Sequence, residues 1–504
     1  MGAKRGYDTR GAAVTATPTS FSMMATVVAL CTLLRPIAAH PPAPSWKCNF
    51  TANVDYSTTD GGVVSAADQE ACCDACHNSS TCLVGVFQPS KRTCYLKGGL
   101  VKPISEKQGL VACEARTPPS PAPDFDCSAP GADCAGRLGA THWNPCYYIN
   151  GSVPSLIDGA LSVASMGSTV IKVAVFSPEA MYPFNSPGWP AAGFNTLLEM
   201  VQHPYYRELW AMPHFTTYVL IAYSTVGGTS GGDISYWTKG ITAVQQAEET
   251  AQLQAAAHFL LETYGVPMGK TFVFENWEGD WASRSGSYNP KTPATELARM
   301  SMRKWLAARQ AGVTAARAAV FGSNTVTAGN VLYSAEVNLV QESRVNGVPN
   351  MINTVVPFVE LDMVSYSSYD TESDATTFKA ALQFIEQSHN RTAASPRGPK
   401  AYFVAEYGVA QNEVANATAV GTIRNVVNEA LAFGVSYILF WETYDNECTG
   451  GAGCSAGRCH DKNQPVTDPA NLHGFWLIRP DGSKAWPYLY LQAKIAEGEG
   501  NSLA

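Results

Sequence analysis

Two short stretches of the chain hold most of the side chains suited to acid–base chemistry. In TFVFENWEGDW, residues 271–281, a strand-like apolar run gives way to Glu275, Asn276, Trp277, Glu278, Asp280 and Trp281. In AYFVAEYGV, residues 401–409, a similar run ends in Glu406 and Tyr407. An ionised carboxyl is costly to bury unless partners hold it, so carboxylates at the ends of apolar runs are poor core material. As a pair they can do what splitting a glycosidic bond needs: one carboxylic acid protonates the leaving oxygen, and one carboxylate meets the positive anomeric carbon. Indole and phenol rings nearby suit the same chemistry, because pyranose faces stack on them while sugar hydroxyls seek directional polar partners. Glu278 and Glu406 are the candidate catalytic pair. Asn276, Trp277, Tyr369, Trp441, His142 and Trp143 are the candidate substrate-binding residues, although His142 reads equally well as a packed histidine and Trp143 as core. Glu275 and Asp280 remain rivals of Glu278 as the acid.

These residues need a scaffold that brings distant segments together. Strand-like and helix-like segments alternate beyond residue 127, the pattern of a βα repeat over a parallel sheet. The expected strands are 137–144, 169–176, 218–225, 271–275, 318–326, 361–370, 401–409 and 436–445, with helical runs such as TAVQQAEETAQLQAAAHFLLETYG (242–265) between them. The helix before the fifth strand is expected to end at Gly312. Eight strands with intervening helices predict an α/β fold of the (β/α)8 type, whose chemistry sits where the strands end. An open doubly wound sheet would want a Gly-rich loop after its first strand. None follows it here: GGTSGG at 227–232 follows the third and reads as a flexible loop.

On those strand ends the chain resembles the clan of retaining glycosidases built on (β/α)8 barrels, which includes cellulase- and mannanase-like enzymes. VAEYG (404–408) is similar to the clan's nucleophile strand, SYSSYD (365–370) to its sixth strand, and FWETYD (440–445) to its eighth. HGFWLIRPDGSKAWPYLYLQA (473–493) resembles the closing strand-turn-helix. The resemblance implies Glu278 after strand four as acid/base, Glu406 on strand seven as nucleophile, Tyr369 against the nucleophile and Trp441 under the sugar. It implies double displacement on β-glycosides such as glucans or mannans, with no cofactor and no metal. One feature departs from the clan: Trp277 separates Asn276 from Glu278, where the two are usually adjacent. The alternative is a carbohydrate-binding or adhesion protein whose barrel has lost catalysis, and transglycosylation with the same carboxylates also stays open.

The remaining sequence frames this barrel. Lys4, Arg5 and Arg10 precede the apolar run 21–34, and Ala38 and Ala39 follow it, so residues 1–41 read as an export signal, or alternatively an uncleaved anchor. A run of fourteen residues is short of the roughly 20 that a membrane span needs, and nothing later is apolar enough to span a bilayer. Of the 14 cysteines, 13 follow Cys31 and cluster locally, as expected of disulfides closing short loops in an exported chain, with zinc the weaker reading. Sequons at Asn49, Asn78, Asn150, Asn390 and Asn416 fit glycosylated loops. Proline-rich residues 117–126 look like a spacer, fencing off 46–116 as a small domain that needs disulfide staples. Its helix with neighbouring cysteines followed by a hairpin resembles the PAN/apple family. That resemblance implies Cys48–Cys113, Cys76–Cys82, and Cys94 with Cys72 or Cys73, in a module that binds proteins or glycans. A net charge of −8 and the lack of a basic stripe argue against a nucleic-acid partner.

Overall fold

The computed structural model describes residues 49–57, 60–77, 82, 84–97, 102–114, 124–225, 234–284, 289–322, 330–390, 401–414, 416–455, 457–459 and 464–499. The expected export signal, Cys48 with its expected bridge to Cys113, Asn78, most of the proline-rich seam and the 227–232 loop lie outside the described residues. Among those described, no helix is long and apolar enough to cross a membrane.

Five strands, β1 (Asn49–Ser57), β2 (Asp60–Ser65), β3 (Val84–Gln88), β4 (Thr93–Lys97) and β5 (Lys102–Glu114), make an antiparallel sheet in the order β1-β5-β3-β4-β2. The helix Gln69–His77 is joined to it by Cys72–Cys94, and Cys76 of the helix is bonded to Cys82. Cys72 is thus the partner of Cys94, and Cys73 is disulfide-bonded as well. The core beneath the helix is small, built from Cys72, Cys76, Cys82, Phe87, Cys94 and Leu96, so these covalent ties supply what the apolar area cannot.

The rest of the chain is a closed barrel of eight parallel strands: β6 (Leu138–His142), β7 (Val170–Val175), β8 (Thr217–Ala222), β9 (Thr271–Glu275), β10 (Val331–Val337), β11 (Met363–Ser367), β12 (Tyr402–Tyr407) and β13 (Ile438–Phe440). The (β/α)8 architecture is therefore the one the alternation predicts, with one strand in a different place. The fifth strand is 331–337, not 318–326, because the preceding helix runs from Glu296 to Phe321 and absorbs Ala318 to Phe321. Gly312 does not end that helix. It lies where the helix crosses Ala243–Leu260, and a Cβ there would come within 2.5 Å of the Thr250 carbonyl oxygen. The glycine is a close-contact residue between two helices, not a cap. Likewise the helix from Ala243 passes through Gly265 in a single π turn and stops at Gly269, which has the left-handed conformation.

Inside the barrel the strands' period of two sorts side chains into layers. Val170, Val219, Val273, Leu332, Met363, Phe403, Ala405, Tyr437 and Leu439 form an apolar plug. Toward the carboxyl ends of the strands this gives way to Lys172, Glu275, Ser334, Glu336, Ser365, Ser367 and Glu406, all buried. The cysteines depart from the expected local pairing in one place: Cys127–Cys134 and Cys448–Cys454 close short loops, but Cys146–Cys459 joins residues 313 apart and ties the segment after β6 to the loop after β13. The end of the proline-rich seam is docked as well. Asp124 accepts from Asn428 and Arg424 of the helix Asn416–Phe433, and Phe125 donates its N–H to Asn428. Asn150, Asn390 and Asn416 lie exposed.

Candidate active site

The centre of the site is a lysine that sequence reading passed over. Lys172, in the middle of β7, places its Nζ 2.9 Å from Glu275, 3.1 Å from Glu336 and 3.0 Å from Glu406, with all four side chains buried. Ser365 donates to Glu275 at 2.9 Å, and Ser367 donates to Glu336. Burial opposes the lysine's charge, but the three carboxyls more than offset this and hold the ammonium well above its usual range. Burial pushes Glu406 up to about 8; Lys172 counteracts this while Glu336 and Glu275 add to it. Glu275 rises to about 7 for the same main reason, again opposed by Lys172. The signal for Lys172 was legible: it is the lone charge in the apolar run TVIKVAVF, and a fully buried lysine requires partners. Glu336 was hidden by the misplaced fifth strand.

Glu406 reaches this layer through an irregularity in β12. Tyr366 pairs with Val404 but Ser367 pairs with Glu406, so Ala405 is an extra residue. Phe403 and Ala405 both face the plug, and strict alternation would turn Glu406 out toward the helices. The bulge re-aims it inward, a use to which bulges near functional sites are often put.

The three acidic residues after β9 differ sharply. Asp280 is fully buried and accepts from the backbone N–H groups of Asn338, Leu339 and Met351, with Arg284 3.6 Å away, so it anchors the segment after β10. Glu275 is taken by Lys172 and Ser365. Glu278 sits beyond the strand at φ 29°, a left-handed conformation that costs a non-glycine residue on the order of 1–2 kcal/mol. Among the described residues no hydrogen bond reaches its carboxyl, which is 8% exposed. Burial, then the negative charges of Glu406 and Glu336, raise it well above the usual carboxylate range. Asn144 after β6 and Ser177 after β7 also have positive φ, at 52° and 39°.

The aromatic candidates form a wall. Trp143 meets Trp277 and Trp441 edge-on, each with ring centroids 5.3 Å apart, and its backbone N–H donates to Glu442 at 3.1 Å. Trp277 donates its own N–H to the Tyr223 hydroxyl at 2.8 Å. The Trp441–Glu442 peptide is cis. Tyr369 is 39% exposed at the mouth, and its phenol is held well above its ordinary range by burial of the hydroxyl and then by the charge of Glu406. No hydrogen bond joins it to Glu406 among the described residues.

Two candidates are not where a bound sugar would meet them. His142 points away from the mouth: its Nε2 lies 2.8 Å from the Ser155 carbonyl, and a Cβ on Gly159 would come within 2.3 Å of its ring. Burial lowers it to about 4, so the ring is neutral and packs the helix Ser155–Ala164 onto β6. Asn276 spends its amide on the backbone of Glu336, donating and accepting at 3.3 Å, and so ties β9 to β10. Among the described residues no group of His, Cys, Asp or Glu is arranged to hold a metal ion.

Neither a family model nor a curated protein matches the chain. Among solved structures it is similar to an exo-β-1,4-mannosidase from Opitutaceae bacterium strain TAV5, at 14% identity and a TM-score of 0.42 over 74% of this chain and 63% of that one. A GH5_18 protein from Streptomyces cattleya in complex with GlcNAc gives 13% identity and 0.42 over 72% and 80% of the two chains. A GH5-4 broad-specificity endoglucanase from Ruminococcus champanellensis with bound cellotriose gives 14% and 0.38 over 74% and 100%. The chain thus spans about 63% of the mannosidase's length.

Proposed function

We propose that the chain is a secreted glycoside hydrolase that cleaves β-glycosidic bonds of a poly- or oligosaccharide with retention of configuration. The observation that carries this reading is that two carboxyls at the same end of the barrel have different partners: Glu406 meets the Lys172 ammonium at 3.0 Å, and Glu278 meets no hydrogen-bond donor among the described residues. Among the described residues Glu278 accepts no hydrogen bond, and burial and then the charges of Glu406 and Glu336 shift its carboxyl towards the protonated form that a proton donor to a leaving oxygen needs. Glu406 is turned inward by the bulge onto the Lys172 ammonium, which favours its anion. In the first step Glu406 attacks the anomeric carbon while Glu278 protonates the departing oxygen. In the second, Glu278 as base takes a proton from water, which displaces the enzyme ester. Trp441, Trp143 and Trp277 would stack against sugar rings, with Tyr369 at the opening. Glucans and mannans are the proposed substrate class. The N-terminal sheet, whose Cys72–Cys94 and Cys76–Cys82 bridges are those of the PAN/apple resemblance, would dock a glycan or a protein.

The test is a panel of aryl β-glycosides, β-glucans and mannans, with the native chain beside Glu406→Gln and product anomers followed by proton NMR. The expected outcome is hydrolysis with retained β configuration by the native protein, reduced to background in the variant. Inverted product, or activity that survives the substitution, removes Glu406 from the nucleophile's place. Binding without turnover by the native chain returns the barrel to a carbohydrate-binding role.

A further inference from the structure

Lys172 has three N–H donors, and three carboxyls surround its Nζ at 2.9–3.1 Å. Those carboxyls come from three separate strands, Glu275 on β9, Glu336 on β10 and Glu406 on β12, and none is more than 2% exposed. Fully ionised, three carboxylates and one ammonium carry two unbalanced negative charges above an apolar plug, which burial does not tolerate. The other titratable groups facing Glu406 are Glu278 from the segment after β9, Tyr369 from that after β11 and Glu442 from that after β13, all of them acids. Ser365 is within 3.1 Å of Ser334 and 2.9 Å of Glu275, and Ser367 bonds Glu336, so hydroxyls able to reverse their hydrogen bonds line the two carboxyls that do not face substrate.

We propose that Lys172 and Glu336 are positioning residues whose charges, set beside Glu406 in one buried layer, fix the pH at which Glu406 becomes an anion. The proposal rests on the reading of Glu406 as nucleophile and deepens it. The ionisation of Glu406 then depends on the charges that share its ammonium partner. Removing the negative charge of Glu336 lets Glu406 ionise at lower pH, and removing the positive charge of Lys172 forces it to ionise at higher pH. A charge at this separation moves a carboxyl by about 1–3 pH units. A residue that merely filled space would alter stability without moving the titration.

The experiment measures kcat/KM against pH on the best aryl β-glycoside for the native chain, Glu336→Gln and Lys172→Met, with melting temperatures alongside. The acid limb should move down by about 1–3 units in Glu336→Gln, which keeps the side chain's shape, and up in Lys172→Met. An acid limb that stays put in folded Glu336→Gln, or moves up in it, overturns the proposal. The second measurement needs no activity: NMR titration of the chain carrying carbon-13 glutamate carboxyls, with Glu406 assigned from the Glu406→Gln spectrum. Its midpoint should fall in Glu336→Gln, and an unchanged midpoint overturns the coupling. Absence of hydrolysis on every substrate together with a shifted midpoint sinks the hydrolase reading alone.

Discussion

Glu275, Glu278 and Asp280 lie in one short stretch, yet their oxygens have different work. Asp280 holds backbone N–H groups, Glu275 holds a lysine and a serine, and the Glu278 carboxyl has no hydrogen-bond partner among the described residues. From the sequence all three were candidates, since nothing in FENWEGDW says which carboxyl the backbone of a later strand will claim. Under the proposed mechanism Glu278→Gln should cut kcat by about 10²–10⁴ on substrates with poor leaving groups. The loss should be much smaller on activated aryl glycosides, whose leaving groups need no proton. An equal loss on both would take the acid's role away from Glu278. His142 shows the opposite case: its position before Trp143 suggested a rim residue, but alternation along β6 turned its ring into the helix layer.

The strands were legible as elements because each is an apolar run flanked by turn residues, and the seven that matched their expected places did so for that reason. The fifth did not, because AAVFG continues a helical pattern that Gly312 only seemed to stop. Gly312 is there for the contact with Ala243–Leu260, so Gly312→Val should force the two helices apart. Overpacking of this kind costs about 1–3 kcal/mol, readable as a lower denaturant midpoint with an unchanged slope. An unshifted midpoint would mean that the helices can slide to make room. The bulge in β12 was beyond reach for a different reason. AYFVAEY reads as a regular strand, and only its pairing with β11 reveals that Ala405 is extra.

Across the whole molecule, the carboxyl end of the barrel stores a concentration of buried acids. Burial lifts Glu406 and Glu372 to about 8, Glu275 to about 7, and Asp370 and Asp445 to about 6, against ordinary values of 3.8 to 4.5. A group raised in the folded state binds its proton more tightly there than in the unfolded chain, so its contribution is present below the ordinary value and is lost as pH rises through the folded one. Melting temperature should therefore fall as pH climbs from about 5 to 8, and Glu275→Gln should flatten part of that fall. Calorimetry across this range checks it, and a melting temperature that climbs over the same range would contradict the burial described above. The Cys146–Cys459 clasp stands beside this acidic rim, joining the loops that follow the first and last barrel strands.

What the sequence by itself determined is local. It contained the alternation that makes a (β/α)8 barrel, the acidic and aromatic ends of particular strands, and the clustered cysteines. Such features are set by neighbours along the chain, through periodicity, turn chemistry and composition. The tertiary structure alone decided that Lys172 and Glu336 belong to the site, that Glu406 faces inward, and that His142 and Asp280 serve the scaffold. Those outcomes depend on register between strands far apart in the chain, where a shift of one residue sends a side chain to the opposite face.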